Sequence, residues 1–327
     1  MRTRQRGAAL LTALLIVSLV ATLAAAMVWR QLRAVHLEAA DRARAQAHWV
    51  LLGALDWARL ILREDQRANT SEPVDHLGEV WAVPLAEARL STFLAADKQN
   101  AKEDEGPEAF LSGRIDDAQA RYNLRNLIDS SKDIPALEKR TVGRLFQSAG
   151  LPADMAEQFV QQLNRALQAS DDSADAPMRP QTVAQLAWLG LPPDAVRALE
   201  PWVVILPQPS PVNVNTAPRE VLAALFDNMD LATAERLVQQ RRTQPFRNVA
   251  EIQRVLGRAA EGGVDAKRID VKSDHFLVTG RLRLDDRVVE QRSLVQRTND
   301  SEVKLLWRER VSPPPGTSTQ TGALGAP

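Results

Sequence analysis

MRTRQRGAALLTALLIVSLVATLAAAMVW, residues 1–29, is the stretch on which the rest of the chain hangs. Arg2, Arg4 and Arg6 lead to Gly7, and the 22 residues from Ala8 to Trp29 carry no charge. At a rise of roughly 1.5 Å per residue they make a helix of about 33 Å, enough to cross a hydrocarbon core. The first proline is Pro73 and the first acidic residue Glu38, so the apolar run can continue unbroken into a long amphipathic helix. Three readings of the run compete. A cleaved secretory signal would exit at Ala24-Ala25-Ala26, but its apolar region spans only about 7–15 residues. An uncleaved single-pass anchor fits the length. Processing ahead of the run, between Gly7 and Ala8, would keep the helix whole. Arg30, Arg33, Arg42 and Arg44 on the far side blunt the charge rule for orientation. The short tail ahead of Gly7 favours an N-terminus on the inside.

The chain has room for about two domains beyond this stem. Its 41 basic and 41 acidic side chains cancel, so bulk charge recruits neither nucleic acid nor acidic lipid. Without cysteine there are no disulfides, Cys-ligated metals or thiol nucleophile. From Leu37 to Leu62 an apolar stripe runs through Leu37, Ala40, Ala47, Leu51, Ala54, Ala58 and Ile61. Its lower half is expected to pack on a sheet of its own domain, and its upper half against similar helices. Asn69-Thr70-Ser71-Glu72-Pro73 ends the helix.

Val80-Trp81-Ala82-Val83 reads as a short strand, Leu85 to Ala96 as helix and Lys98 to Pro107 as a polar loop. A strand over Glu108 to Asp116 runs into Ile115-Asp116-Asp117-Ala118-Gln119-Ala120-Arg121-Tyr122-Asn123-Leu124. From Asn126 to about Lys272 the pattern is helical and partly repeats. Ala156–Gln162 returns as Ala234–Gln240, and Val183–Leu186 as Val249–Ile252. Two similar helical units are therefore joined through Pro207-Gln208-Pro209-Ser210-Pro211. After Ser273 the period becomes two. Phe276, Val278, Leu282 and Leu284 mark one strand, Val288 to Arg297 a second, and Val303 to Val311 a third, with Asp285-Asp286 a turn. Such a meander needs a cover for its apolar face, and the stem is the candidate. The tail from Pro313 has the composition of a disordered segment.

Taken with Val212-Asn213-Val214-Asn215-Thr216-Ala217-Pro218, these features resemble the general secretion pathway protein K family, the large minor pseudopilins of type II secretion systems. The basic leader, Gly7 and the apolar helix are similar to a type IV prepilin. The resemblance implies an α+β fold: a pilin-like long N-terminal helix packed on a small antiparallel sheet, with a large inserted all-α domain of two SAM- or helix-hairpin-helix-like units. It divides the chain into a leader (1–7), a transmembrane stem (8–29), a pilin-like first part (30–123), an insertion (124–272; units at about 124–206 and 212–272), terminal strands (273–312) and a disordered tail (313–327). It implies cleavage between Gly7 and Ala8 by a prepilin peptidase and methylation of Ala8. Thr12 stands at mature position five, where most pilin-like subunits carry Glu. The implied function is structural: initiating and capping the tip of a periplasmic pseudopilus. The implied partners are GspI-, GspJ- and GspH-like minor pseudopilins, the inner-membrane platform and, through the insertion, secreted substrate. The implied location is the inner membrane, single-pass, with the body in the periplasm. Ala120-Arg121-Tyr122-Asn123-Leu124-Arg125 departs from the family's usual Gly-Arg-Phe-Asn-Leu-Asn. Many relatives carry an acidic segment suited to calcium. Asp171, Asp172 and Asp175 remain of it, too few alone for six to eight oxygens, so no cofactor is expected and calcium is the one candidate.

Val212 to Ile252 also resembles helix-hairpin-helix DNA-binding modules, which makes a membrane-anchored DNA-binding protein the alternative. Such hairpins grip phosphate through backbone N–H groups flanked by glycines. Asn228-Met229-Asp230 stands at that place without either glycine. Arg236, Arg241, Arg242 and Arg247 form the candidate basic patch. No enzyme is expected. His36, His48, His76 and His275 are scattered, and no nucleophile elbow, phosphate loop or zinc-protease motif occurs. Asp116-Asp117 reads as turn chemistry, and Trp188, Trp202 and Trp307 as core anchors.

Overall fold

The computed structural model describes residues 5–69, 73–90, 108–128, 134–169, 177–257, 265–284 and 287–311, with side chains from residue 9. The loop at 98–107, the turn Asp285-Asp286, the tail from 313 and Asp171, Asp172 and Asp175 lie outside them. The chain divides into two units, Met1–Gly53 and Ala54–Pro327. Helix α1 (Gln5–Ala68) runs 64 residues without a break, as the lack of proline before Pro73 allows. Every residue from Ala9 to Ala39 is exposed.

In the second unit five antiparallel strands form one sheet: β1 (Leu85–Arg89), β2 (Ala109–Asp117), β7 (His275–Leu284), β8 (Arg287–Arg297) and β9 (Val303–Val311), paired in that order. The three terminal strands form the expected meander. Phe276 pairs with Val295 and Val278 with Ser293. Period-two alternation brings Phe276, Val278, Val295, Val303 and Ile115 onto one face, where Leu55, Ala58 and Leu62 of α1 cover them. The stripe at this end therefore runs one residue round from the expected Ala54 and Ile61, which are only half-buried. The leucines at 55 and 62 give the sheet more apolar area than alanine at 54, and each buried leucine contributes about 2 kcal/mol. Gly113 faces Gly280 across the β2–β7 ladder. A Cβ on Gly113 would stand 3.0 Å from the Thr279 carbonyl oxygen, so this pair lets the strands close.

Two local expectations fail. Leu85–Arg89 is a strand, not a helix, because β2 has an open edge and β1 fills it. Arg89 pairs with Glu108 and Glu87 with Arg283 across the sheet, so tertiary pairing overrides a helix-favouring composition. Val80–Ala82 is a 3₁₀ turn, not a strand. The Glu79 carboxylate accepts from the His76 amide at 2.9 Å and from the Trp81 indole at 2.7 Å. That turns Trp81 inward, edge-on to Phe276 at 5.2 Å between centroids.

Between β2 and β7, which are neighbours in the sheet, the chain leaves to build a helical layer. Its elements are β3 (Tyr122–Asn123), α2 (Ala136–Ser148), α3 (Ala153–Gln168), a 3₁₀ segment (Val183–Leu189), α4 (Pro193–Leu199), β4 (Val203–Val204), β5 (Val212–Asn213), α5 (Arg219–Leu225), α6 (Leu231–Thr243), α7 (Val249–Leu256) and β6 (Ile269–Asp270). The repeated stretches fall on matching elements: Ala156–Gln162 on α3 and Ala234–Gln240 on α6, Val183–Leu186 on the 3₁₀ segment and Val249–Ile252 on α7. Each half is closed at its root by a two-residue parallel ladder, β3 with β4 and β5 with β6. The halves share one hydrophobic core, running from Tyr122, Phe146 and Phe159 to Leu222, Phe226 and Ile252.

Leu62 is wholly buried while Leu60 is 40 % exposed on the same helix. Leu62→Ala should therefore cost about 2–5 kcal/mol, and Leu60→Ala within about 0.5 kcal/mol. Urea denaturation of the chain in neutral detergent, followed by circular dichroism, reads both.

Candidate functional site

Two regions carry more than core packing: the exposed apolar stem, and the junction where the helical layer leaves the sheet. The stem is long and apolar enough to cross a membrane by length and composition. Leu10, Leu14, Val17, Leu23 and Trp29 are each more than half exposed. Thr12 donates its hydroxyl to the Ala9 carbonyl at 2.9 Å, so its polar atom is met within the helix itself.

The junction is built on Asp117, at the end of β2. Its carboxylate accepts from Thr216 Oγ1 at 2.5 Å, Ser273 Oγ at 2.6 Å, Asn213 Nδ2 at 3.1 Å and the Gln119 amide at 2.7 Å. Three stretches far apart in sequence, at 117–119, 213–216 and 273, thus meet on one buried side chain. Gln119 adds a second tie, donating to the Pro211 carbonyl at 3.1 Å and accepting from the Asp274 amide at 2.7 Å. The pair Asp116-Asp117 is therefore not turn chemistry alone. Asp116 pairs with Arg114 at the surface, and Asp117 is the buried centre.

The stretch Tyr122-Asn123-Leu124 and the stretch Val212-Asn213-Val214 serve the same purpose in the two halves. Asn123 accepts from the Arg125 and Leu206 amides and donates to the Gln208 carbonyl. Asn213 accepts from the Asn215 amide at 2.9 Å and donates to the Asp75 carbonyl at 3.1 Å. Asn215 then brackets Phe246, taking its amide and giving to its carbonyl, both at 2.9 Å. Below them the Tyr122 hydroxyl donates to Glu138 at 2.7 Å, and Arg268 reaches the other oxygen of Glu138 at 2.6 Å. Burial and the adjacent Glu138 hold the Tyr122 hydroxyl well above its usual pKa.

Beside Asp117 lies a group that sequence reasoning missed. Asp65, Asp75 and Glu79 bring carboxylate oxygens within 4.8 Å of one another. Arg297 answers them, bonding Asp65 at 2.9 Å and also Asp75, with its guanidinium over the Phe276 ring. A guanidinium thus already sits among the oxygens that a cation would use. No signal in the chain marks this set, since β8 supplies the partner of acids on and just after α1. Burial, with the charge of Glu79, pushes Asp65 up to about 6 against the pull of Arg297. Burial likewise pushes Asp117 up to about 6, against hydrogen bonds from Ser273 and Thr216. His275, buried nearby, is pushed the other way by desolvation.

The remaining candidates separate. Trp188 is 51 % exposed and is no core anchor, because the 3₁₀ segment turns Leu186 and Leu189 inward instead. Trp202 packs on the helical core, and Trp307 on the small cluster of Ala118, Leu206 and Leu294. The histidines do not converge. In the hairpin-like stretch Met229 is buried, and Asp230 caps α6 by accepting from the Thr233 amide at 2.7 Å. A carboxylate thus holds the place where a phosphate would bind. Arg241 is buried and donates to the Val214 carbonyl, which removes it from the surface patch; Arg236, Arg242 and Arg247 are exposed.

Asp117→Ala should take the short-range acceptor from Thr216, Ser273 and the Gln119 amide and cost about 3 kcal/mol or more. The raised carboxyls, Asp65 and Asp117 foremost, make the folded chain the better proton acceptor between about pH 4 and about pH 6. Their contribution to stability is present below the ordinary carboxyl pKa and is lost as pH rises through about 6. His275 works in the opposite sense below its ordinary value, so a comparison isolates the acid. Asp117→Asn should gain less stability than the parent chain on acidification from about pH 7.5 to about pH 5, read from thermal midpoints.

Family profiles described as type II secretion system (T2SS), protein K match residues 120–208 and 212–272. The type II secretion system protein K of Pseudomonas aeruginosa is 32 % identical over 94 % of this chain and 94 % of its own length. That of Pectobacterium carotovorum is 29 % identical over 94 % of this chain and 97 % of its own. A solved chain from the GspK-GspI-GspJ complex of the enterotoxigenic Escherichia coli type 2 secretion system shares the fold. Its TM-score is 0.62 at 19 % identity, covering 84 % of this chain and 99 % of that one. These relatives give the DNA-binding alternative no support. An apolar stem, a five-stranded sheet and a doubled helical layer, aligned end to end with such relatives, place this chain in the type II secretion system protein K family, a pseudopilin component of protein export.

Proposed function

We propose that this chain initiates and caps the tip of a periplasmic pseudopilus. It would stand with GspI-, GspJ- and GspH-like minor pseudopilins, anchored once in the inner membrane with its body in the periplasm. The observation that carries the reading is the stem: exposed from Ala9 to Ala39 and uncharged from Ala8 to Trp29. Such a surface is stable only in lipid or against other apolar helices. Lipid holds the subunit before assembly, and neighbouring stems replace lipid afterwards.

Prepilin peptidase would cut between Gly7 and Ala8, with methylation of Ala8. A subunit that stands first has nothing above it that would need a charge at mature position five. Thr12, satisfied by the Ala9 carbonyl, supplies none. The helical layer between β2 and β7 is bulky and would obstruct a filament interior, which also favours an end position. The role is structural, without a catalytic centre or a required cofactor; calcium at Asp171, Asp172 and Asp175 is a separate proposal, tested by calcium titration calorimetry.

Intact-mass spectrometry of the membrane-extracted chain should find methylated Ala8 at the N-terminus. A chain beginning at Met1 would point to a plain anchor, and one beginning at Met27 to a cleaved signal. Thr12→Glu would put a carboxylate into the apolar stem, at a desolvation cost of a few kcal/mol unless an amine meets it. Co-purification of the variant with the three smaller minor pseudopilins should fall.

A further inference from the structure

We propose that the cleft between the sheet and the helical layer is a receptor for an extended acidic–apolar peptide segment of a partner protein, with Arg121 as the anchor for its carboxylate. The cleft has a volume of about 190 Å³. Leu277, Leu294 and Trp307 form its sheet side, and Val183, Val196 and Val203 its helical side. Arg121, between the 3₁₀ turn Ala118–Ala120 and β3, opens into it.

The guanidinium of Arg121 is the unusual feature. Burial lowers its pKa, and Asp116 and Glu200 are close enough to act on it through space. Neither acid bonds it directly. Asp116 is bound to Arg114 at 2.8 Å and Glu200 to Arg292 at 2.9 Å. Among the described residues Arg121 makes no side-chain hydrogen bond or ion pair. Arg121 is half-buried, and the five donors of its guanidinium look into the cleft without a protein acceptor. The Trp307 indole N–H, on the opposite wall, is buried without an acceptor. An arginine and an indole N–H without a protein acceptor, beside the apolar side chains of the cleft, fit a carboxylate flanked by apolar side chains.

The sheet edge selects an extended peptide over a small acid. β9 is the last strand of its sheet, paired only with β8 among the described residues. Trp307 and Glu309 of this strand line the cleft, so a chain laid along the free edge can hydrogen-bond to β9 while one side chain enters beside Arg121. The cleft volume suits one acidic side chain with an apolar neighbour. Glu309, the cross-strand partner of Arg292, discourages a second carboxylate. The inference stands apart from the filament role, since peptide binding needs no assembly.

The probe is a fluorescein-labelled, end-blocked peptide, Leu-Val-Glu-Leu-Thr-Val, titrated against the full chain in neutral detergent and read by anisotropy. Its Glu-to-Gln counterpart is the control. The Glu peptide should bind about tenfold more tightly than the Gln peptide, the loss expected for one charged hydrogen-bonded pair. Arg121→Gln should erase that difference without weakening the Gln peptide further. Ala184→Glu, an exposed position on the cleft wall, should block both peptides. It decides the matter if the Arg121 variant fails to fold by circular dichroism. Equal binding of the two peptides, no binding of either, no effect of Ala184→Glu, or full displacement of the Glu peptide by millimolar acetate would each overturn the proposal.

Discussion

Asp117 is the point on which the second unit depends. The chain leaves the sheet there and returns at Ser273, and between them it builds a helical layer with its own core. A layer attached only through two strand ends would swing. Asp117, Asn213, Thr216 and Ser273 stop this by satisfying one another while buried. Each hydrogen bond is modest in net terms, but the cost of leaving any one group unmet is larger. The arrangement therefore tolerates little change in geometry. The neighbouring Arg297 with Asp65 and Asp75 does the same for the end of α1, so helix, sheet and helical layer are fixed within one polar neighbourhood.

The helical layer repeats that solution on a smaller scale. Each half begins with an apolar residue and an asparagine on a two-residue parallel ladder, Tyr122-Asn123 and Val212-Asn213. Asparagine suits the position because its amide offers donors and an acceptor together. In both halves it takes an amide two residues on and gives to a carbonyl elsewhere. The two halves then share one core, with Arg140 and Arg144 of α2 both on Asp227 at the other half's surface.

The elements legible from sequence were those whose signal is local. The stem announces itself by composition, the terminal strands by period two, and the helical duplication by the recurrence of Ala156–Gln162 at Ala234–Gln240. What stayed hidden is decided by partners far along the chain. Leu85–Arg89 is a strand because β2 offers an edge. Val80–Ala82 curls because Glu79 holds Trp81. Asp117 and Asn213 stand in recognisable stretches, yet nothing local places positions 117, 213, 216 and 273 at one spot. Arg241 looked like a surface cation for the same reason, since the Val214 carbonyl that takes it lies across the fold.

Because Asp117 pairs with Phe276 at one end of the β2–β7 ladder, both connections to the helical layer emerge from the same end of two antiparallel neighbours. Tension on that layer would open those strands like a zipper, rung by rung, rather than load all rungs at once. The buried hydrogen bonds on Asp117 lie at the first rung, where such a tear would have to begin. A load on the helical layer thus meets a rivet where peeling would start.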